Sequence, residues 1–229
     1  MVPLIAAALF LLASHFGISS TPLRAALVAR LGERGYLVLY SLVAAVALGW
    51  LIGAWARAPY VELWPPGPAL AGVPLLVVPV ALVLLVGGLT TPNPTAVGAS
   101  ADLLAAREPV RGVFRITRHP FMWGVGLWAG AHILANGDLA SLILFGSLGA
   151  LALLGTLLID RKYAARRGAD WQRFAAATSN LPLAAVVAGR QRLVLTEIGW
   201  WRLALALVLF VVLLALHARL FGGAPLAAL

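Results

Sequence analysis

Six apolar stretches, each about as long as a bilayer is thick, constrain this chain more than any other feature. A hydrocarbon core of roughly 30 Å needs about 20 apolar residues in a helix. The chain is also 62% hydrophobic and 11% charged, whereas globular domains are about 45–50% apolar and about 25% charged. These values predict an all-α, polytopic membrane bundle that forms a single integral membrane domain over residues 1–229. The predicted helices cover residues 2–19, 36–56, 70–89, 120–136, 139–159 and 199–220.

Basic residues give this bundle a predicted orientation. All but two of the 17 Lys and Arg residues fall in the segments 20–35, 90–119 and 160–202, and the exceptions are Arg57 and Arg219. The positive-inside rule places those three segments in the cytoplasm and both termini in the periplasm. The formal charge of +9 then reflects topology and attraction to anionic membrane lipid, and nucleic-acid binding is not expected. No Lys or Arg precedes Arg24, so the first stretch is predicted to be a retained helix rather than a signal peptide.

The connections between the predicted helices differ in character. Residues 136–138 form a tight polar turn, which predicts an antiparallel hairpin. The proline-rich loop 57–70 carries Trp64 and is expected to lie at the membrane interface with that indole as an anchor. A short helix is predicted around 100–107. Residues 160–182 place aromatic side chains among basic ones, which predicts an amphipathic helix lying on the membrane surface.

The stretch "RITRHPFMWGVGLWAGAHILANGD", residues 115–138, carries a histidine near each end of one apolar helix. Pro120 favours the first helical position and an extended conformation for the preceding His119. His119 therefore lies at the helix mouth with Arg115 and Arg118, where backbone amides favour an anion such as phosphate, carboxylate or a haem propionate. The alternative is an Arg–His pair that snorkels to the interface without binding a ligand.

His132 lies 13 residues beyond His119, which is about 20 Å along a straight helix and about 220° around it. The two histidines therefore cannot bind one metal ion together. Gly124, Trp128 and Asn136 share a stripe with His132 at four-residue steps. The small residues nearby allow close approach of another helix or of a flat cofactor.

His15, in the first predicted helix, is a candidate partner for His132. Counted from the predicted helix ends, the depths of the two histidines in the bilayer differ by roughly 8 Å. An error of four residues in one predicted helix end changes a depth by about 6 Å. The pairing is therefore allowed, and His119 fits the depth of His15 no worse. His217, beside Arg219 in the last predicted helix, is interpreted as an interfacial residue.

Several classes of chemistry are excluded by what the sequence lacks. There is no cysteine, so disulfides, thiolate metal sites and cysteine nucleophiles are absent. The predicted spans hold no Asp or Glu away from their ends, which leaves a proton relay without carboxylates. No glycine-rich phosphate loop, HExxH motif or serine elbow occurs. Asp160 and Arg161, at one end of the fifth predicted helix, are expected to pair with each other.

Three blocks, in order, resemble the NnrU family over about residues 10–182: "SHFGISSTPLRAALVARLGERGYLVLYSL", "TRHPFMWGVGLWAGAHILANGD" and "LLIDRKYAARRGADWQRFAAATSNLP". The resemblance implies a bacterial inner-membrane protein associated with nitrite and nitric oxide reduction. It also implies a relation to 15-cis-zeta-carotene isomerases, which use haem b in cis–trans isomerisation. By that relation His15 and His132 are expected to ligate haem iron. His119 matches the histidine of the relatives' Arg/Thr-His-Pro segment and, with Arg118, is expected to contact the cofactor.

Two alternative functions remain open, and the first of them follows from a more distant likeness. Isoprenylcysteine carboxyl methyltransferases also carry an Arg-His-Pro segment before a helical hairpin, but they follow it with paired glutamates where this chain has Asp160 and Arg161. One alternative is therefore a membrane enzyme that uses S-adenosylmethionine or a nicotinamide cofactor at the Arg-His-Pro mouth. The other is a non-catalytic accessory protein for denitrification enzymes. If the chain is an enzyme, its expected substrate is a hydrophobic small molecule.

Overall fold

The fold is a bundle of α-helices, seen in a computed structural model that describes residues 1–19, 21–95, 104, 110–223 and 225–228. Short 3₁₀ turns flank the later helices, and within the described residues there is no β-strand beyond one isolated bridge between Glu62 and Asp138. The predicted short helix around 100–107, and with it Arg107, falls outside the described residues except for Leu104. The helices are α1 (Val2–Ser19), α2 (Pro22–Trp55), α3 (Pro68–Thr90), α4 (Pro120–Asn136), α5 (Leu139–Arg166), α6 (Gly168–Ala177), α7 (Ala184–Val187) and α8 (Trp200–Phe221).

Five of these helices, α1, α2, α3, α5 and α8, are long and apolar enough to cross a membrane. The all-α membrane bundle predicted from the sequence is therefore confirmed. The remaining predicted span, α4, has 17 residues, which is near the lower limit of about 17 residues for a spanning helix. The count of six spans and the orientation of the termini remain predictions.

Two helices extend beyond the predicted apolar spans. Helix α2 begins at Pro22 rather than near residue 36, because Thr21 accepts a hydrogen bond from the Leu23 N–H and caps a helix that the basic residues do not interrupt. The helical run is broken at Gly32, which has φ of 71° and so adopts a conformation that glycine tolerates best. Helix α5 continues past the predicted end at 159 to Arg166.

Helix α5 lies at the centre of the bundle, where it packs against α1, α2 and α4, while α3 packs against α4 and α8. Small residues bring α3 and α4 together: a Cβ added at Gly88 would lie 2.7 Å from the Phe121 nitrogen, and one at Gly124 would lie 2.8 Å from the Ala81 oxygen. Gly124 therefore serves helix packing, one of the two uses predicted for the small residues of α4.

One end of the bundle is closed by the α2–α3 loop, which lies on the α4–α5 turn. We call this the turn end, residues 57–67 and 136–141. The Leu63 and Trp64 N–H groups donate to the Gly137 oxygen at 2.8 and 3.1 Å, and the Leu139 N–H donates to the Val61 oxygen at 2.9 Å. The Trp64 indole donates to the Leu134 oxygen at 3.3 Å. The tight α4–α5 hairpin is confirmed, and Trp64 contacts the protein rather than serving only as an interfacial anchor.

The opposite end, which we call the His119 end, comprises residues 110–119 and 160–202. Here Trp171 and Phe174 of α6 are buried, in a cluster with Val113, Phe114 and Ile198. The amphipathic helix predicted within 160–182 is the shorter α6, and its buried aromatic residues pack on the protein. Its position at the membrane surface stays a prediction. The first residues of that segment belong to α5.

Candidate functional site

His119 is the buried centre of a polar cluster at the His119 end. It immediately precedes Pro120, which begins α4, and its side chain is only 1% exposed. Its Nε2 atom lies 2.7 Å from Oδ1 of Asp160, near the end of α5. A carboxylate oxygen only accepts hydrogen bonds, so Nε2 carries the proton and donates it.

Arg118 and Asn180 complete the coordination of the Asp160 carboxylate. Arg118 Nη1 lies 3.5 Å from Oδ2 of Asp160, and Asn180 Nδ2 donates to the same oxygen at 3.2 Å. The Arg118 guanidinium also lies over the Trp171 ring, 5.6 Å from its centre. Burial lowers the pKa of Arg118, and the charge of Asp160 opposes that shift. The carboxylate thus faces two donors on one oxygen and His119 on the other.

The segment 178–183 is fixed beside this cluster by bonds to residues 116–118. The Arg118 N–H donates to the Ser179 oxygen at 2.9 Å and the Leu183 N–H donates to the Ile116 oxygen at 2.7 Å. Asn180 also accepts a hydrogen bond from the Trp123 indole at 3.2 Å. One asparagine therefore connects α4, α5 and the segment after α6.

Within this cluster, two sequence predictions meet different outcomes. The expected pairing of Asp160 with Arg161 is wrong, because Asp160 turns into the protein toward His119 and Arg118. Arg118 and His119 both contact the carboxylate of Asp160, and the binding of a ligand anion at this helix mouth stays a prediction. Arg115 faces away from the cluster and pairs with Glu197, whose Oε2 lies 2.7 Å from Arg115 Nε.

His15 and His132 lie within apolar helices and share one hydrogen-bonding pattern. Nδ1 of each is 2.8 Å from the backbone oxygen four residues earlier, Leu11 for His15 and Trp128 for His132. A carbonyl oxygen only accepts, so Nδ1 carries the proton and the Nε2 lone pair remains. The ring of His15 meets Tyr40 edge-on, with ring centres 5.6 Å apart.

The ring of His132 lies in an aromatic pocket, 5.1 Å from Trp128 and 5.0 Å from Phe145 between ring centres. No group of three or more His, Cys, Asp or Glu residues suited to a metal ion is found among the described residues. A bis-histidine haem site contains only two such residues. The donor chemistry of His15 and His132 fits haem iron, because neutral imidazole presenting Nε2 is a usual axial ligand.

His217 follows the same Nδ1 pattern but bonds to a loop. Its Nδ1 lies 2.9 Å from the oxygen of Gly223, beyond the end of α8, and its ring centre is 5.1 Å from that of Phe221. A position near the helix end agrees with the interfacial interpretation.

Sequence reasoning missed Asn180 and Trp123. Asn180 lies 61 residues from His119, and nothing in its local pattern indicates that it reaches the Asp160 carboxylate. The only signal for Asn180 was its place in the third block that resembles the NnrU family, which marks a segment rather than a contact.

Comparison with known proteins gives a family and partial relatives. The chain is similar to the chloroplastic 15-cis-zeta-carotene isomerase of Arabidopsis thaliana, 42% identical over 82 residues that cover 35% of this chain and 22% of the relative. The Zea mays protein of the same name is 38% identical over 84 residues, with 36% of this chain and 22% of the relative covered. The similarity thus spans about a fifth of each relative. No solved structure matches the chain significantly.

The family profile described as NnrU protein matches residues 3–225, nearly the whole chain including α8. The chain belongs to the NnrU family.

Proposed function

We propose that this chain is a membrane enzyme related to isomerases, which binds haem b through His15 and His132 and changes a double bond of an apolar polyene between cis and trans. The family membership and the names of the relatives support the isomerase part. The observation that carries the haem part is the shared state of two intramembrane histidines on separate helices, each with Nδ1 bonded to a carbonyl and Nε2 left as a ligand atom.

The chain's own residues have defined tasks in this proposal. The backbone oxygens of Leu11 and Trp128 fix each imidazole in the tautomer that a metal requires. Trp128 and Phe145 both pack against the ring of His132 and give it apolar surroundings. When bound, haem b would supply an iron centre able to exchange ligands and electrons. His119 supports neighbouring structure rather than the iron, because its Nε2 is committed to Asp160.

The haem proposal is tested by the visible spectrum of the purified, haem-reconstituted protein. We expect low-spin, six-coordinate haem in the parent protein, and loss or a changed coordination in both His15→Ala and His132→Ala. The matched control is His217→Ala, another histidine of a spanning helix whose Nδ1 also meets a carbonyl oxygen. Its spectrum is expected to match that of the parent.

Unchanged haem coordination in both ligand variants would overturn the assignment. Loss of haem in His119→Ala, with His132→Ala unaffected, would move the ligand to the His119 end.

The reaction is tested separately, with the protein in liposomes that contain a 15-cis polyene. We expect chromatography to show formation of the trans isomer, and we expect the rate to fall in His132→Ala. A haem-loaded protein that leaves the polyene unchanged would refute the isomerase proposal without touching haem binding.

We further propose that the chain lies in a bacterial inner membrane with the His119 end in the cytoplasm. The grouping of basic residues supports this orientation, and a reporter fused to the C-terminus is expected to be active only in the periplasm. The association with nitrite and nitric oxide reduction is tested by deleting the gene and measuring growth on nitrite.

A further inference from the structure

Two groups of histidines bond through opposite ring nitrogens. His15, His132 and His217 place Nδ1 against a backbone oxygen, at 2.8, 2.8 and 2.9 Å. His119 places Nε2 against a carboxylate oxygen at 2.7 Å. Because both kinds of oxygen only accept, the nitrogen that carries the proton differs between the groups.

We propose that Asp160 is a positioning residue for His119. It holds the ring in the tautomer with the proton on Nε2, and so leaves Nδ1 as the ring nitrogen that carries the lone pair. The inference goes beyond haem binding and does not depend on it, since neither residue is a proposed iron ligand.

The surroundings of Asp160 explain why its orientation is fixed. Its Oδ2 faces only donors, Arg118 Nη1 at 3.5 Å and Asn180 Nδ2 at 3.2 Å. Asn180 is itself oriented, because its side-chain oxygen accepts from the Trp123 indole at 3.2 Å. The amide of Asn180 therefore cannot rotate without losing two bonds, and Oδ1 of Asp160 remains directed at His119.

The same arrangement predicts what a nearly isosteric substitution does. In Asp160→Asn, the one remaining side-chain oxygen is claimed by Arg118 and Asn180, both of which are donors. The new amide NH₂ then faces His119 Nε2 and must donate to it. His119 is expected to move its own proton to Nδ1, which reverses the tautomer while the packing is retained.

The test uses ¹⁵N-histidine in the full-length protein, in detergent micelles under a reductant that keeps any six-coordinate haem iron diamagnetic. The chain has four histidines, so long-range proton–nitrogen spectra contain four ring systems, and His119→Gln assigns the one of interest. Spectra are recorded over a series of pH values at which the protein is folded, so that the number of protons on each ring is read directly. We expect Nε2–H for His119 in the parent and Nδ1–H in Asp160→Asn, with Nδ1–H for His217 in both.

Three results would overturn the proposal: Nδ1–H for His119 in the parent, a ring that stays doubly protonated at every pH where the protein is folded, or an unchanged tautomer in Asp160→Asn. Asp160→Glu is the conservative variant and is expected to restore Nε2–H. Should Asp160→Asn fail to fold, the parent spectrum and Asp160→Glu still decide the tautomer.

Discussion

The two ends of the bundle are held together by different kinds of interaction. At the turn end, the α2–α3 loop meets the hairpin mainly through backbone N–H and carbonyl groups around Gly137. At the His119 end, the buried side chain of His119 and the half-buried side chains of Arg118, Asp160 and Asn180 interact with one another. Backbone bonds depend on chain geometry and accept many side chains, whereas a buried charged cluster depends on every member. The stability of the turn end therefore depends mainly on backbone conformation, and that of the His119 end depends mainly on which side chains are present.

The largest expected change in the free energy of unfolding comes from a substitution at the His119 end. Asp160→Ala leaves Arg118, whose side chain is 12% exposed, and buried His119 without their shared acceptor. Loss of one partner of a buried ion pair costs about 3–5 kcal/mol. We expect a fall of this size in the free energy of unfolding, measured by thermal or denaturant unfolding in detergent.

The matched control is Asp170→Ala, which breaks an exposed pair with Arg173 whose side chains are 43% and 67% exposed. An exposed pair contributes about 0–1 kcal/mol. Equal losses in the two variants would contradict the difference between the ends.

At the turn end, Gly137→Ala is expected to cause a smaller loss in the free energy of unfolding. Gly137 has φ of 67°, and an added Cβ would lie 2.1 Å from the backbone oxygen of Trp64. The left-handed conformation alone costs about 1–2 kcal/mol for a residue with a Cβ, and displacement of the loop adds to it. Gly189→Ala separates these terms, since Gly189 has φ of 70° with nothing within 4 Å of the added atom. If both variants lose the same stability, the loop contact contributes nothing.

The smallest effect concerns the Arg115–Glu197 pair, which is at the His119 end but lies outside the buried cluster. The hydrogen bond from Arg115, followed by the bond from the Gly112 N–H and nearby positive charge, holds the pKa of Glu197 below its usual range despite the opposing effect of burial. A depressed carboxyl pKa stabilises the fold above the ordinary value near 4.3, and that contribution is lost as the pH falls through the folded pKa. Side-chain exposures of 20% and 31% limit it to less than about 1 kcal/mol.

The measurement compares melting temperatures of the parent and Glu197→Gln from neutral pH down to pH values at which the Glu197 carboxyl is protonated in both the folded and the unfolded state. The parent is expected to be slightly more stable at neutral pH, and the difference is expected to vanish in acid. A difference that grows toward low pH would show that Glu197 acts in some other way.

The sequence predicts the long apolar helices better than it predicts the contacts between them. Hydropathy located the long helices, because a membrane span can be identified from the apolarity of about 20 consecutive residues. It missed the helical residues before Gly32, since their basic side chains resemble a loop when only apolarity is counted. It also missed the burial of Trp171 and Phe174, because periodicity marks an apolar face but not whether lipid or protein covers it.

The candidate site shows the limit most clearly. His119 and Arg118 were found from Pro120 and the helix mouth, which are local features. The sequence suggests Arg161 as the partner of Asp160, whereas the structure pairs Asp160 with His119, 41 residues away. Contacts of this separation arise from how α4 and α5 pack, and no single segment encodes them.

The ion pair at the base of the α4–α5 hairpin has a consequence for biogenesis. Arg118 precedes one helix and Asp160 lies near the end of the next, so the cation leaves the ribosome before its counter-ion exists. Arg118 and His119 therefore lack their shared acidic partner until α5 has been synthesised and has packed against α4. We expect the polar cluster at the His119 end to form only after both helices of the hairpin are in place.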